Sequence, residues 1–219
     1  MMKAVIFDFN GTLFFDSCFH MEAWSEIYKE ISNEADQELD PALFCGQNND
    51  ELIHTIAPDL TKEERQKVSV RKEALYRDIC QRNPERVHLT AGAEKLFSEL
   101  KERSVPYALA TASIIDNVDF YFEAFHLGRW FEREMCVYDD GAYANKGEMH
   151  LEAARRLGTA FSECIVIEDS IGSIRYAKEN GAGVIIGIGS NPIHPELIRA
   201  GAAHCICDFT EFDYAWLRN

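Results

Sequence analysis

Four short apolar runs punctuate the chain: Ala4-Val-Ile-Phe7, Tyr107-Ala-Leu-Ala110, Cys164-Ile-Val-Ile167 and Val184-Ile-Ile-Gly-Ile188. Each is continuous rather than alternating, the pattern of a strand covered on both faces. Helical spacing separates the last three. Ala93, Leu96, Phe97 and Leu100 precede the second run, Met149, Ala153, Ala154 and Leu157 follow Lys146, and Ile174, Ala177 and Lys178 follow Ser170, read as an N-cap. Alternating strands and helices predict an α/β fold with a Rossmann-like parallel sheet and helices on both faces.

The stretch 14–87 has a different texture, helical throughout with no strand signal. Phe19, Ala23, Trp24, Ile27, Tyr28 and Ile31 form one apolar face. Thr61-Lys-Glu-Glu64 fits a capping box opening a long charged helix, whose inner face holds Val68, Leu75 and Ile79. The expected organisation is a core of residues 1–13 plus 88–219, with an inserted all-α cap over 14–87.

The chain has 219 residues, enough to bury a core in one domain carrying such an insertion. Acidic residues outnumber basic ones 37 to 22, for a net charge of -15. Such a surface repels nucleic acid and anionic membranes, so a small-molecule partner is expected. An anionic substrate then needs a locally positive site. Of the seven cysteines, Cys205 and Cys207 alternate within His204-Cys-Ile-Cys207 and read as one face of a strand. No Cys-x-x-Cys occurs; reduced core thiols fit this better than a metal or redox role. The N-terminus runs directly into an apolar strand, unlike a signal peptide, and no apolar run reaches membrane-spanning length. A cytoplasmic protein is expected, as a monomer or weak homo-oligomer.

Sites in open α/β sheets form beyond the carboxyl ends of the strands. There the first strand ends in Asp8, the second in Thr111 and the third in Glu168-Asp169, while Lys146 opens a helix between the last two. Three acids converging on one edge repel one another unless a hard cation such as Mg²⁺ joins them. Lys146 and Thr111 supply donors for anionic oxygens. A nucleophile, a cation and a positive clamp are what phosphoryl transfer requires.

These residues resemble the haloacid dehalogenase superfamily over essentially the whole chain. Asp8-Phe-Asn-Gly-Thr12 is similar to its first motif, Asp-x-Asp-Gly-Thr. Thr111 in Ala108-Leu-Ala-Thr-Ala-Ser113 matches the second, Lys146 the third and Ile167-Glu-Asp-Ser170 the fourth. The helical insertion, with His20, Ala23-Trp24 and Gly46, resembles the small cap of the β-phosphoglucomutase-like branch. The resemblance implies a Mg²⁺-dependent phosphatase of small phosphorylated metabolites, such as sugar phosphates, with Asp8 as nucleophile and an aspartyl-phosphate intermediate. Mg²⁺ would be held by Asp8, the Asn10 backbone carbonyl and Asp169, with Glu168 a direct ligand or one step behind. Thr111 and Lys146 would bind the phosphoryl group, Gly11 would let the backbone bend beneath it, and His20 and Lys72 would face the site from the cap. Ser113 joins the expected substrate-binding residues, although capping the following helix is its commoner use.

Asn10 stands where phosphatases and mutases of the family carry the Asp that protonates the leaving group and activates water. An amide cannot exchange protons, and general acid–base catalysis is typically worth about 10²–10⁴-fold. Three explanations remain open: a natural Asn that leaves the proton to water or His20, a replacement of a natural Asp, or a weak enzyme with a binding role. Gly147 follows Lys146 where a Pro is usual. Asn49 stands near an Arg that grips the second phosphate in β-phosphoglucomutases, which places phosphosugar mutase behind phosphatase. Taken alone, His20 fits an ordinary amphipathic-helix position, Lys72 in Arg71-Lys-Glu73 a solvated charge, and Trp24 with Tyr28 core packing.

Overall fold

The computed structural model describes residues 2–32 and 48–218, so Cys45 and Gly46 lie outside it. The chain divides into two units, Met1–Phe15 with His88–Asn219, and Asp16–Val87. In the first, six parallel strands run β1 (Ala4–Phe7), β2 (Tyr107–Ile114), β3 (Cys136–Asp139), β4 (Cys164–Glu168), β5 (Val184–Ile188) and β6 (His204–Ile206). Their order across the sheet is β3-β2-β1-β4-β5-β6. The described α-helices are α1 (Ser17–Ile31), α2 (Asn49–Ile56), α3 (Lys62–Arg82), α4 (Ala93–Glu102), α5 (Ile115–Ala124), α6 (Lys146–Arg156), α7 (Ile171–Glu179) and α8 (His194–Ala200).

The strand order reverses between β1 and β4, where ligands of open parallel sheets bind beyond the carboxyl ends. Alternate residues of β1 face opposite sides of the sheet. Ala4 and Ile6 join Ala110 and Val166 in a core closed by Met149 and Ala153 of α6, Ile174 of α7 and Leu197 of α8. Phe7 points the other way, 5.4 Å from the Phe97 ring on α4 and 6.2 Å from that of Phe131. Burial on both faces explains why the central strands read as continuous apolar runs.

Two details depart from the sequence reading. The strand β3 has no apolar run because only Cys136 and Val137 are buried, at the edge of the sheet. The second strand does not end at Thr111 but continues to Ile114, with its register against β3 shifting between Ala110 and Ile114. Among the described cysteines, Cys80, Cys136 and Cys164 are buried thiols, but Cys18 is exposed. None of the described helices is long and apolar enough to cross a membrane.

The second unit packs α1 against α3 around Trp24, Ile27, Tyr28, Leu52 and Ile53, so the Trp24 and Tyr28 stripe is core. The helix α3 opens as its sequence predicts: Thr61 Oγ1 accepts from Glu64 N at 3.3 Å, and Glu64 Oε2 accepts from Thr61 N at 2.8 Å. Its inner face differs from expectation. Val68 and Leu75 are only half-buried, whereas Lys72 and Glu73 are buried beside Tyr76, Ile79 and Cys80. Lys72 is therefore not a solvated charge; an ion pair with Glu73 at 2.9 Å makes its burial tolerable. Replacing Thr61 by Ala removes the reciprocal cap and should lower stability by about 1 kcal/mol, read from the shift in urea unfolding midpoint.

Candidate functional site

The end of β1, the end of β4 and the start of α6 bring Asp8, Glu168, Asp169 and Lys146 together in the first unit. Asp8 and Glu168 are buried, 5% and 1% exposed, and Asp169 is half-buried. One carboxylate oxygen from each of the three acids lies within 4.8 Å of the others. The Lys146 ammonium donates to Asp8 Oδ1 and lies 3.3 Å from Glu168 Oε1. Glu168 Oε1 also lies 3.1 Å from Nε2 of His150, which is fully buried one turn along α6 from Lys146.

Burial dominates the electrostatics. It pushes the Asp8 carboxyl up to about 7, against the opposing pull of Lys146. The same burial acts on Glu168, but there the Lys146 charge and the His150 hydrogen bond prevail and hold it below the usual carboxylate range. Burial opposes the charge on Lys146 as well; Asp8 and Glu168 outweigh it and raise the ammonium above its ordinary value. One lysine thus leaves Asp8 undercompensated among three acids. An all-oxygen donor set with such a deficit fits a hard divalent cation. Gly11 keeps the acids close: its φ is +72°, and a Cβ there would stand 2.1 Å from Asp169 Oδ2. Only glycine fits such a backbone against such a neighbour.

Asn10 and its neighbours form a second cluster beside the first. Asn10 Nδ2 donates to the Tyr121 hydroxyl at 2.8 Å, and Ser113 Oγ donates to Asn10 Oδ1 at 2.6 Å. The Ser113 and Tyr121 hydroxyls are 3.2 Å apart, which closes a ring that fixes the orientation of the amide. Thr111, fully buried, lies 3.1 Å from Ser113 Oγ and accepts from Ser113 N at 3.2 Å. Ser113 is therefore not the cap of α5, whose N-cap is Ile114 without a side-chain bond. Tyr121 itself is fully buried, stacked on Phe9 at 3.9 Å. Thr90 ties the loop after β1 in place, bonding the Thr12 carbonyl through Oγ1 and the Leu13 carbonyl through its N–H, both at 2.8 Å.

Sequence reasoning missed His150, Tyr121 and Thr90. His150 carried one usable signal, its place four residues after Lys146 on the same helix face. Tyr121 and Thr90 carried none, because their contacts reach across more than seventy residues of chain.

His20 belongs to the second unit and sits in a polar cluster there. An ammonium can only donate, so Lys72 donates to His20 Nδ1 at 2.7 Å, leaving the Nε2–H for Asp16 Oδ2 at 3.2 Å. The imidazole stacks on Tyr76 at 4.0 Å, and Tyr76 donates to Asp16 at 2.6 Å. Glu73 accepts from Lys72 and, at 2.7 Å, from Asn49, which also bonds Ser69 at 3.1 Å. Burial would raise the Glu73 carboxyl, but Lys72 and its other partners bring it down to about 2.

A sequence model of haloacid dehalogenase-like hydrolases matches residues 2–181 of this chain. Protein CbbY, plasmid, of Cupriavidus necator is 28% identical over 202 residues, covering 84% of this chain and 78% of that protein. The β-phosphoglucomutase of Bacillus subtilis is 27% identical over 210 residues, covering 86% and 84%. The crystal structure of a HAD hydrolase, family IA, variant 3, from Entamoeba histolytica superposes with a TM-score of 0.91 at 34% identity, covering 99% of this chain and 97% of that one.

The geometry separates the two acids at the end of β4. Glu168 already accepts from Lys146 and His150, whereas half-buried Asp169 presents its carboxylate against Gly11. Calorimetric titration with Mg²⁺ should therefore show a larger loss of affinity, about 10-fold or more, for Asp169→Ala than for Glu168→Ala. The reverse order would reject this ranking of ligands.

Proposed function

This chain belongs to the haloacid dehalogenase-like hydrolases, and we propose that it is a Mg²⁺-dependent phosphatase of small phosphorylated metabolites, sugar phosphates foremost. The observation that carries this reading is the buried Asp8 carboxylate at the end of β1, contacted by Lys146 and grouped with two further acids. Asp8 is the nucleophile. One of its oxygens bonds to phosphorus while the ester P–O bond breaks, giving an aspartyl-phosphate and an alkoxide that takes up a proton. Water then adds to phosphorus, the acyl-phosphate bond breaks, and Asp8 returns as a carboxylate beside inorganic phosphate.

Lys146 and Thr111 bind the transferring oxygens, with Ser113 and Gly11 completing the contacts in that unit, and His20 is the proposed substrate-binding residue of the second unit. Asp8, Asp169 and the Asn10 backbone carbonyl are the proposed Mg²⁺ ligands, with Glu168 either joining them or bracing Lys146. Bound there, Mg²⁺ neutralises charge on the phosphoryl oxygens. Asn10 neither gives nor takes the proton, so water or His20 carries it and turnover is slow. The relative named β-phosphoglucomutase supports a phosphosugar mutase as second reading. Against it, Asn49 stands near the position where β-phosphoglucomutases carry an Arg for a second phosphate, and its amide is already bonded to Glu73 and Ser69. A phosphometabolite-binding protein of weak activity remains the reading to adopt if phosphomonoesters bind but do not turn over.

Two variants test this reading on a panel of phosphomonoesters with saturating Mg²⁺. Asp8→Ala should abolish hydrolysis; near-normal turnover would reject the covalent route. Asn10→Asp should raise kcat by roughly 10²-fold or more with KM nearly fixed, because it restores a group able to exchange the proton. The Tyr121 and Ser113 hydroxyls can both donate to a carboxylate at position 10, so the local geometry survives the change. Equal rates for the two forms would move the acid–base role to His20.

A further inference from the structure

His150 has no part in the chemistry above, yet its ring is fully buried within the site's own unit. A histidine in such a place needs a reason, since a leucine would fill the space without leaving polar atoms among apolar neighbours. Its Nε2 lies 3.1 Å from Glu168 Oε1, and its Nδ1 is buried with no hydrogen-bond partner among the described residues. An ionised carboxylate only accepts, so Nε2 carries the proton. Nδ1 is then a bare lone pair on a ring whose centroid lies 6.4 Å from that of Phe161. The residue gives up one polar atom in order to place the other.

What it places is the acid that competes with Asp8 for Lys146. The ammonium bonds Asp8 and lies 3.3 Å from the same Glu168 oxygen that faces His150. Without the imidazole, Glu168 is free to turn fully onto Lys146 and draw it off Asp8. Lys146 and His150 sit four residues apart on one face of α6, so a single rigid helix sets both donors against one carboxylate.

We propose that His150 is a positioning residue whose Nε2–H pins Glu168 and thereby keeps the Lys146 ammonium directed at Asp8. In its consequences for turnover it rests on the phosphatase reading above; in its geometry it does not. The ligand class concerned is the phosphoryl oxyanion and the divalent cation that Asp8, Glu168 and Asp169 would share.

The test compares His150→Gln, whose side-chain amide can carry an N–H to the place of Nε2, with His150→Leu, which fills the space but donates nothing. Mg²⁺ and inorganic phosphate affinities of both are read by calorimetry. His150→Leu should lose about 10-fold or more in each, and His150→Gln should stay within a few-fold of the parent. A volume-filling role would make the two variants equivalent, or favour Leu, and would overturn the proposal. In the metal-free parent protein, ¹⁵N-resolved NMR of the imidazole should find the proton on Nε2. A proton on Nδ1 overturns the proposal whatever the affinities show. If the parent hydrolyses no phosphomonoester, the phosphatase reading falls, while the tautomer and the Gln–Leu comparison still decide the role of His150.

Discussion

One lysine buried against two carboxylates organises the site. Taking a carboxylate out of water costs several kcal/mol even after the surroundings relax. Asp8 and Glu168 both bear that cost; at Glu168 Lys146 and His150 outweigh it, whereas at Asp8 Lys146 offsets only part of it. Three features of the fold follow from the need to hold this arrangement. The strand order reverses between β1 and β4, which puts the two acids side by side at one edge. The helix α6 crosses from β3 to β4 and starts with the lysine itself. Gly11 replaces a side chain with backbone where Asp169 presses in. A buried ion cluster is weak evidence of stability, since apolar residues of similar volume often serve as well or better. Its presence at the mouth of the sheet is therefore better accounted for by chemistry than by folding.

The parts of this arrangement that were readable in the sequence are those fixed locally. Strands buried on both faces leave unbroken apolar runs, and the polar residue closing each run marks the sheet edge, so Asp8, Glu168 and Asp169 were visible without a structure. The Thr61 and Ser170 helix caps were visible for the same reason, since donor and acceptor lie three residues apart. The edge strand β3 left no trace because only half of its residues are buried. Lys72 misled because sequence shows charge but not its partners: Arg71-Lys-Glu73 looks solvated until α3 turns the middle and last of the three inward. Tyr121 and Thr90 stayed hidden because they join the site by long-range packing, which no short pattern encodes.

The two units place their buried charges by different means. In the first, lysine and acids come from separate elements and depend on the sheet for their spacing. In the second, Lys72 and Glu73 are adjacent residues on one helix, and His20 with Asp16 lies one turn apart at the start of another. Those pairs are then tied across helices, Lys72 to His20, Tyr76 to Asp16 and Asn49 to Glu73, while the cluster at the sheet edge exists only once β1 and β4 have paired. Both arrangements therefore depend on packing between elements distant in sequence, although the second starts from pairs local to a helix.

Asn10 brings these lines together. As an amide it can both give and accept a hydrogen bond, and the ring through Tyr121 and Ser113 uses both. Each member of that ring can donate to the next in one direction, so the set is satisfied without any charge. A carboxylate at this half-buried position would add a further acid close to Asp8, with the Tyr121 and Ser113 hydroxyls beside it. Like-charge repulsion from Asp8 would then favour a nearby cation or a retained proton on that acid. A protonated carboxyl is what general acid catalysis requires, and it is what an amide cannot supply. An amide at position 10 therefore closes an uncharged ring of hydrogen bonds, whereas a carboxylate would bring a charge that needs balancing. The ring is anchored in the core: Tyr121 is fully buried and stacked on Phe9, the residue next to Asn10 in the loop that leaves β1.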